Sequence, residues 1–228
     1  MANIYSHPYY PLDAQINDYA PNKTSVLGLM LTASLGAAAI LGATFILSIW
    51  ARPNSRKADR IAILWFVLSG TLHCFFEGYF MINHGLMPSA QDFFGQLWKE
   101  YALSDSRYMT SDTLVFCMET ITVLLWGPLC FGVAYSILSN SPLRHPLQII
   151  VCMAHLYGDT LYYATSLYDD HVHQRPYCRP EPFYFWIYYF GMNFIWIVVP
   201  SIYLFQSVRT ISRAMKMIET RALSRKSD

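Results

Sequence analysis

Three acidic side chains stand where they are expensive. Glu77, Glu119 and Asp159 interrupt stretches otherwise free of charge, and a carboxyl inside a bilayer costs several kcal/mol unless it faces an internal cavity or a partner, which makes each a candidate for function. His73 lies four residues before Glu77, so both project from one face of a helix. A buried carboxyl beside an imidazole can give or take a proton in general acid–base chemistry. The same pair could equally tie two helices together by hydrogen bonding, and the sequence leaves both readings open. Glu119 is followed one turn later by Thr122; this is either a helix-bridging contact or a second acid in an environment unlike that of Glu77. Two acids so separated are what a proton-shuffling isomerisation needs. His155 and Asp159 repeat the i, i+4 spacing around Gly158, and here the reading leans to a self-satisfied pair and close helix packing.

Aromatic residues accompany these acids. Asn193 and Trp196 share a face in an aromatic-rich stretch, and Trp126 precedes Gly127-Pro128, a step that kinks helices and opens space. An indole face can stabilise a cation. An apolar cavity combining these groups suits a hydrophobic substrate that passes through a carbocation: one acid protonates an alkene, and a base then removes a neighbouring proton. No Gly-rich phosphate loop or Ser-His-Asp ordering occurs, so no cofactor is expected.

The elements that must position these groups follow from charge distribution. Only 14% of the 228 residues are charged and 54% are hydrophobic. Five windows, 25–50, 61–82, 113–138, 146–168 and 183–207, contain just the three carboxylates named above. Each is long enough to cross a hydrocarbon core of roughly 30 Å as a helix, and lipid leaves the backbone no other way to satisfy its amides except a closed barrel. The expectation is an all-α polytopic protein, five transmembrane helices in one bundle around an intramembrane cavity. A soluble enzyme is excluded, and a net charge of +1 excludes a nucleic-acid binder.

Most of the 16 Lys and Arg residues fall in the connections 51–60 and 139–145 and in the tail beyond 207, which predicts a cytosolic C-terminus and a lumenal N-terminus. The first 24 residues lack the apolar region of a signal peptide; the expectation is a lumenal segment laid over one face, with a mobile tail equally compatible with the composition. The long connection 83–112 predicts a short interfacial helix, 169–182 an ordered cap, and 208–228 a basic cytosolic extension of the last span. No two of the five cysteines have metal-ligand spacing, so neither a disulfide nor a zinc site is expected.

Taken together, His73-x-x-x-Glu77-Gly78-Tyr79-Phe80, Leu97-Trp98-Lys99-Glu100-Tyr101, Asp105-Ser106-Arg107-Tyr108, Met118-Glu119-Thr120-Ile121-Thr122, Trp126-Gly127-Pro128, Tyr157-Gly158-Asp159 and Asn193-x-x-Trp196 resemble the emopamil-binding-protein family, in order and with similar spacing over about residues 7–207. The resemblance implies a sterol Δ8–Δ7 isomerase of the endoplasmic reticulum, with His73, Glu77 and Glu119 serving the proton transfers. It further implies that Thr122, Asn193, Trp196 and Trp126 line the site, that Tyr108, Arg107 and Asp112 support it from the adjoining loop, that cationic amphiphilic amines bind as mimics of the cation, and that the chain pairs as a homodimer in lipid. His155 stands where relatives carry a glutamine and receives no catalytic role, and the ending Arg225-Lys226-Ser227-Asp228 is close to, but is not, a dilysine retrieval signal. A non-enzymatic sterol or amine-binding protein resembling the sigma-2 receptor is the competing expectation; a proton-coupled transporter is disfavoured because no internal repeat is visible.

Overall fold

The computed structural model describes residues 7–227, with side chains through 224. Positions 1–6, Asp228 and the side chains of 225–227 lie outside the described residues, and with them the start of the expected lumenal segment and the near-retrieval ending.

Every regular element among the described residues is helical. Val26–Ala51 (α1), Lys57–Ser89 (α2), Thr113–Leu138 (α4) and Tyr184–Ser224 (α6) are each long and apolar enough to cross a membrane. Phe93–Tyr101 (α3) is the short helix expected in the long connection, begun by Asp92, whose side chain accepts from the amide of Gly95. Arg144–His173 (α5) contains the remaining expected span and is helical over 30 residues, but it does not reach the apolarity of the other four. Four candidate spans therefore stand where five were expected. The reason is that α5 carries polar groups on its inner face: Gln148, His155 and Ser166 are buried, and the Gln148 amide donates to the Tyr203 carbonyl at 3.0 Å and to Ser207 Oγ at 2.8 Å, both on α6. The helix also runs beyond 168 and stops only at Gln174, in the left-handed region at φ 55°, so the cap expected over 169–182 is partly helix. α6 continues unbroken into the basic tail.

Two apolar clusters bracket the bundle. One gathers Phe80, Trp98, Tyr108, Val115, Tyr162 and Tyr189 with Tyr9 and Ile16 of the N-terminal segment. The other gathers Ala62, Phe66, Val133, Ile137, Val151 and Tyr203. Along α2, α4, α5 and α6 the positions carrying the unusual polar groups fall between these clusters. The N-terminal segment is laid over the first cluster. Gln96 Oε1 accepts from the amides of Lys23 and Thr24 at 2.8 Å each, Lys99 Nζ donates to the Ala20 carbonyl at 2.6 Å, and Tyr9 donates to the Lys99 carbonyl at 3.0 Å. At the opposite end the basic connections converge: Arg144 and Arg56 both donate to buried Asp59, and Arg52 reaches the Ile137 carbonyl.

Candidate active site

Among the described residues the backbone departs from regular α-helix in three wide turns, one of them at Tyr184–Gly191 in α6 and one carrying His73 and Glu77. Leu72–Glu77 in α2 and Thr122–Trp126 in α4 each form a wider turn with i→i+5 hydrogen bonding, and the two face each other. Such turns bulge a helix and often mark functional positions. Gly127 permits the approach: a β-carbon there would lie 2.5 Å from Cys74 Sγ and 3.2 Å from His73 Cβ. The Gly-Pro step therefore presses α4 against α2 directly beneath the chamber. Gly158 behaves differently from expectation. A β-carbon there would meet only Met118 Cε, at 3.9 Å, because this face of α5 borders open space and not another helix.

That space is a cavity of about 460 Å³, within the range of roughly 300–1,000 Å³ that small-molecule sites occupy. His73, Glu77, Glu119, Thr122, Trp126, Asn193, Trp196 and Tyr108 all line it. His73 is buried, and its Nδ1 lies 2.8 and 2.9 Å from the two oxygens of Glu77. Tyr108 donates to Glu119 Oε1 at 2.7 Å. Burial, reinforced by the charge of Glu119, holds the Tyr108 phenol far above its ordinary range, so this hydroxyl is a fixed donor. Asn193 Nδ2 donates to the Tyr189 carbonyl at 2.7 Å and to Tyr101 Oη at 3.0 Å. Trp196 packs 5.5 Å from Trp65 and 6.5 Å from His73, centroid to centroid. The hydroxyl hydrogen of Thr122 is spent on its own helix, donating to the Met118 carbonyl at 2.9 Å.

Two expected residues stand outside the wall. Asp112 caps α4, its Oδ1 accepting from the amide of Val115 at 3.0 Å. Arg107 is buried behind Tyr162, paired with Asp105 at 2.6 Å and donating to Thr165 Oγ1 at 2.9 Å and to the Tyr162 carbonyl at 3.3 Å. Burial opposes its charge, but Asp105 outweighs that and raises its pKa. Both residues hold the wall and do not touch the chamber. Conversely, His155 and Asp159 do line it. His155 Nε2 lies 3.0 Å from His73 Nε2, which extends the His73–Glu77 pair into a chain of three groups across α2 and α5. The i, i+4 spacing marked these residues; their common direction needed the packing of α5. Trp98 and Tyr101 of α3 close one end, with Trp98 stacked on Phe76 at 4.2 Å. Ile121, Tyr157 and Met192 line the cavity and are largely exposed, so the chamber is open on this flank.

Residues 93–207 match the family described as EXPERA (EXPanded EBP superfamily). The chain belongs to the EXPERA family. Glu119, Thr122, His155, Asn193 and Trp196 fall inside the EXPERA match, while His73 and Glu77 precede it; that part of the chain is covered by nearly full-length relatives. The 3-beta-hydroxysteroid-Delta(8),Delta(7)-isomerase of Mus musculus is 34% identical over 222 residues, 97% of this chain and 95% of the mouse protein. A probable isomerase of the same name from Oryza sativa subsp. japonica is 29% identical over 217 residues, 95% of this chain and 97% of the rice protein. Isomeliandiol synthase ISM1 of Ailanthus altissima is 32% identical over 199 residues, 86% of this chain and 88% of that protein.

Proposed function

We propose that this chain is a membrane sterol isomerase that moves a B-ring double bond from C8–C9 to C7–C8. The observation that carries the reading is a single apolar chamber in which an imidazole–carboxyl pair, a second carboxyl and indole rings converge. In the proposed reaction the His73–Glu77 pair delivers a proton to C9. The alkene electrons form the new C–H bond and leave a cation at C8. Glu119 removes a proton from C7, and that C–H pair becomes the new double bond. Net proton count is unchanged: Glu119 gives its proton up to solvent, and the His73–Glu77 pair is recharged from solvent before the next turnover. Both carboxyls reach the one chamber, Glu77 backed by His73 and Glu119 held by the Tyr108 hydroxyl, which gives the two proton-transfer roles separate surroundings. The face of Trp196 and the carboxylate charge stabilise the transient cation. The relatives' names support this substrate class.

The same reading assigns residues 25–207 to the transmembrane isomerase unit, the basic end of the bundle to the cytosol and segment 1–24 to the lumen of the endoplasmic reticulum. It also gives the family's homodimer and its cationic amphiphilic amines, whose ammonium stands in for the cation. Incubating the purified protein with a Δ8-sterol in heavy water tests the central claim. The expected result is a Δ7 product carrying one deuterium at C9; tight sterol binding with neither shift nor deuterium uptake would leave a sterol-binding protein instead.

A further inference from the structure

Cys130 adds a third ligand-type atom to the two facing histidines. Its Sγ lies 3.9 Å from His155 Nε2, and the Nε2 atoms of His73 and His155 and the Sγ of Cys130 are all within 4.8 Å of one another. The three residues are 4%, 6% and 0% exposed for His73, His155 and Cys130. We propose that His73, Cys130 and His155 form a binding site for a zinc-type cation in the cavity wall, with the fourth coordination position facing the chamber.

Two imidazole nitrogens and one thiolate with an open position make a donor set suited to zinc. Typical zinc bonds of about 2.0–2.1 Å to nitrogen and about 2.3 Å to sulfur fit between atoms this close after shifts of a few tenths of an ångström. The surroundings fit as well. A ligating histidine usually donates its other ring N–H to a carboxylate, which fixes the tautomer, and His73 Nδ1 already lies 2.8 Å from Glu77, leaving Nε2 bare. His155 Nδ1 and Asp159 Oδ2 are buried with no hydrogen-bond partner among the described residues. They sit one turn apart on α5, at the same i, i+4 spacing as His73 and Glu77. Metal at His155 Nε2 places that ring's proton on Nδ1, one turn from the Asp159 carboxyl, where a small side-chain shift would bring the two orphaned groups together. The proton balance is simple: the imidazoles stay neutral, and the Cys130 thiol releases one proton per ion bound. His73 and His155 both line the cavity, which gives an ion a route in. With zinc on Nε2, the His73–Glu77 pair is locked in a single protonation state, so on the isomerase reading above the site is inhibitory.

The test uses the full chain in detergent, stripped with a chelator and titrated with cobalt(II), a spectroscopic stand-in for zinc. The expected result is a thiolate-to-cobalt charge-transfer band in the near ultraviolet at one ion per chain, displaced by zinc. Cys130→Ala should abolish the band, and His155→Ala should weaken binding by at least about tenfold. Cys178→Ala, at the far cap, should leave the band intact. In turnover assays Cys130→Ala should keep its zinc-free rate and resist zinc at concentrations that inhibit the unaltered protein. Absence of a thiolate band, or its persistence in Cys130→Ala, overturns the proposal and leaves His73 and His155 as a hydrogen-bonded pair only; so does zinc inhibition undiminished in Cys130→Ala. The cobalt spectrum needs no turnover, so it decides the site even where the isomerase reading fails.

Discussion

Exchanging a carboxyl for a carboxamide keeps shape and removes a proton site. Glu77→Gln and Glu119→Gln are each expected to lower turnover by about 10²–10⁴-fold while cationic amines still bind, checked by sterol conversion alongside amine displacement. Near-normal turnover in either variant removes that residue from the proton path. Trp196→Ala should weaken cationic amines by about 1–2 kcal/mol more than neutral sterols; equal losses would make the indole a space-filler. The residue scale is also where the sequence speaks most clearly. His73, Glu77, Glu119 and Asp159 could be singled out because a charge amid 20 apolar neighbours is improbable without a use. It could not tell that Asp112 would turn to an amide of its own helix, or that Arg107 would stay behind Tyr162, since both contacts depend on how the cap folds back.

Helices stand or fall on how closely they approach. Gly127→Ala forces a methyl against Cys74 Sγ and should destabilise the bundle by about 1–3 kcal/mol, whereas Gly158→Ala, which meets only a methionine end at 3.9 Å, should be near neutral. Thermal unfolding of the two variants in one detergent compares them directly, and equal Tm losses would contradict the packing described for α4. The extent of the helices was legible from hydropathy, but the wide turns at Leu72–Glu77 and Thr122–Trp126 were not, because π-type hydrogen bonding has no strong sequence signature. α5 was read as a span equal to the others; its inward polar residues set it apart, and only its packing against α6 explains why they are tolerated.

At the scale of the whole molecule, the cap is held by a buried ion pair and by the N-terminal segment. Arg107→Leu leaves Asp105, fully buried, without its partner and should cost about 3–5 kcal/mol, seen as a loss of thermal stability with the described cap contacts released. Retained stability would mean the pair is incidental. With the cap bolted down by Tyr9, Gln96 and Lys99, and the opposite end filled by Phe66, Val133 and Ile137, the remaining doorway is the flank beside Ile121, Tyr157 and Met192. On the isomerase reading, traffic through such a doorway is two-dimensional: a greasy molecule arrives by diffusing within its leaflet, reacts, and departs into the same leaflet without ever being wetted. Throughput should then track surface density of substrate in the bilayer and ignore its aqueous concentration.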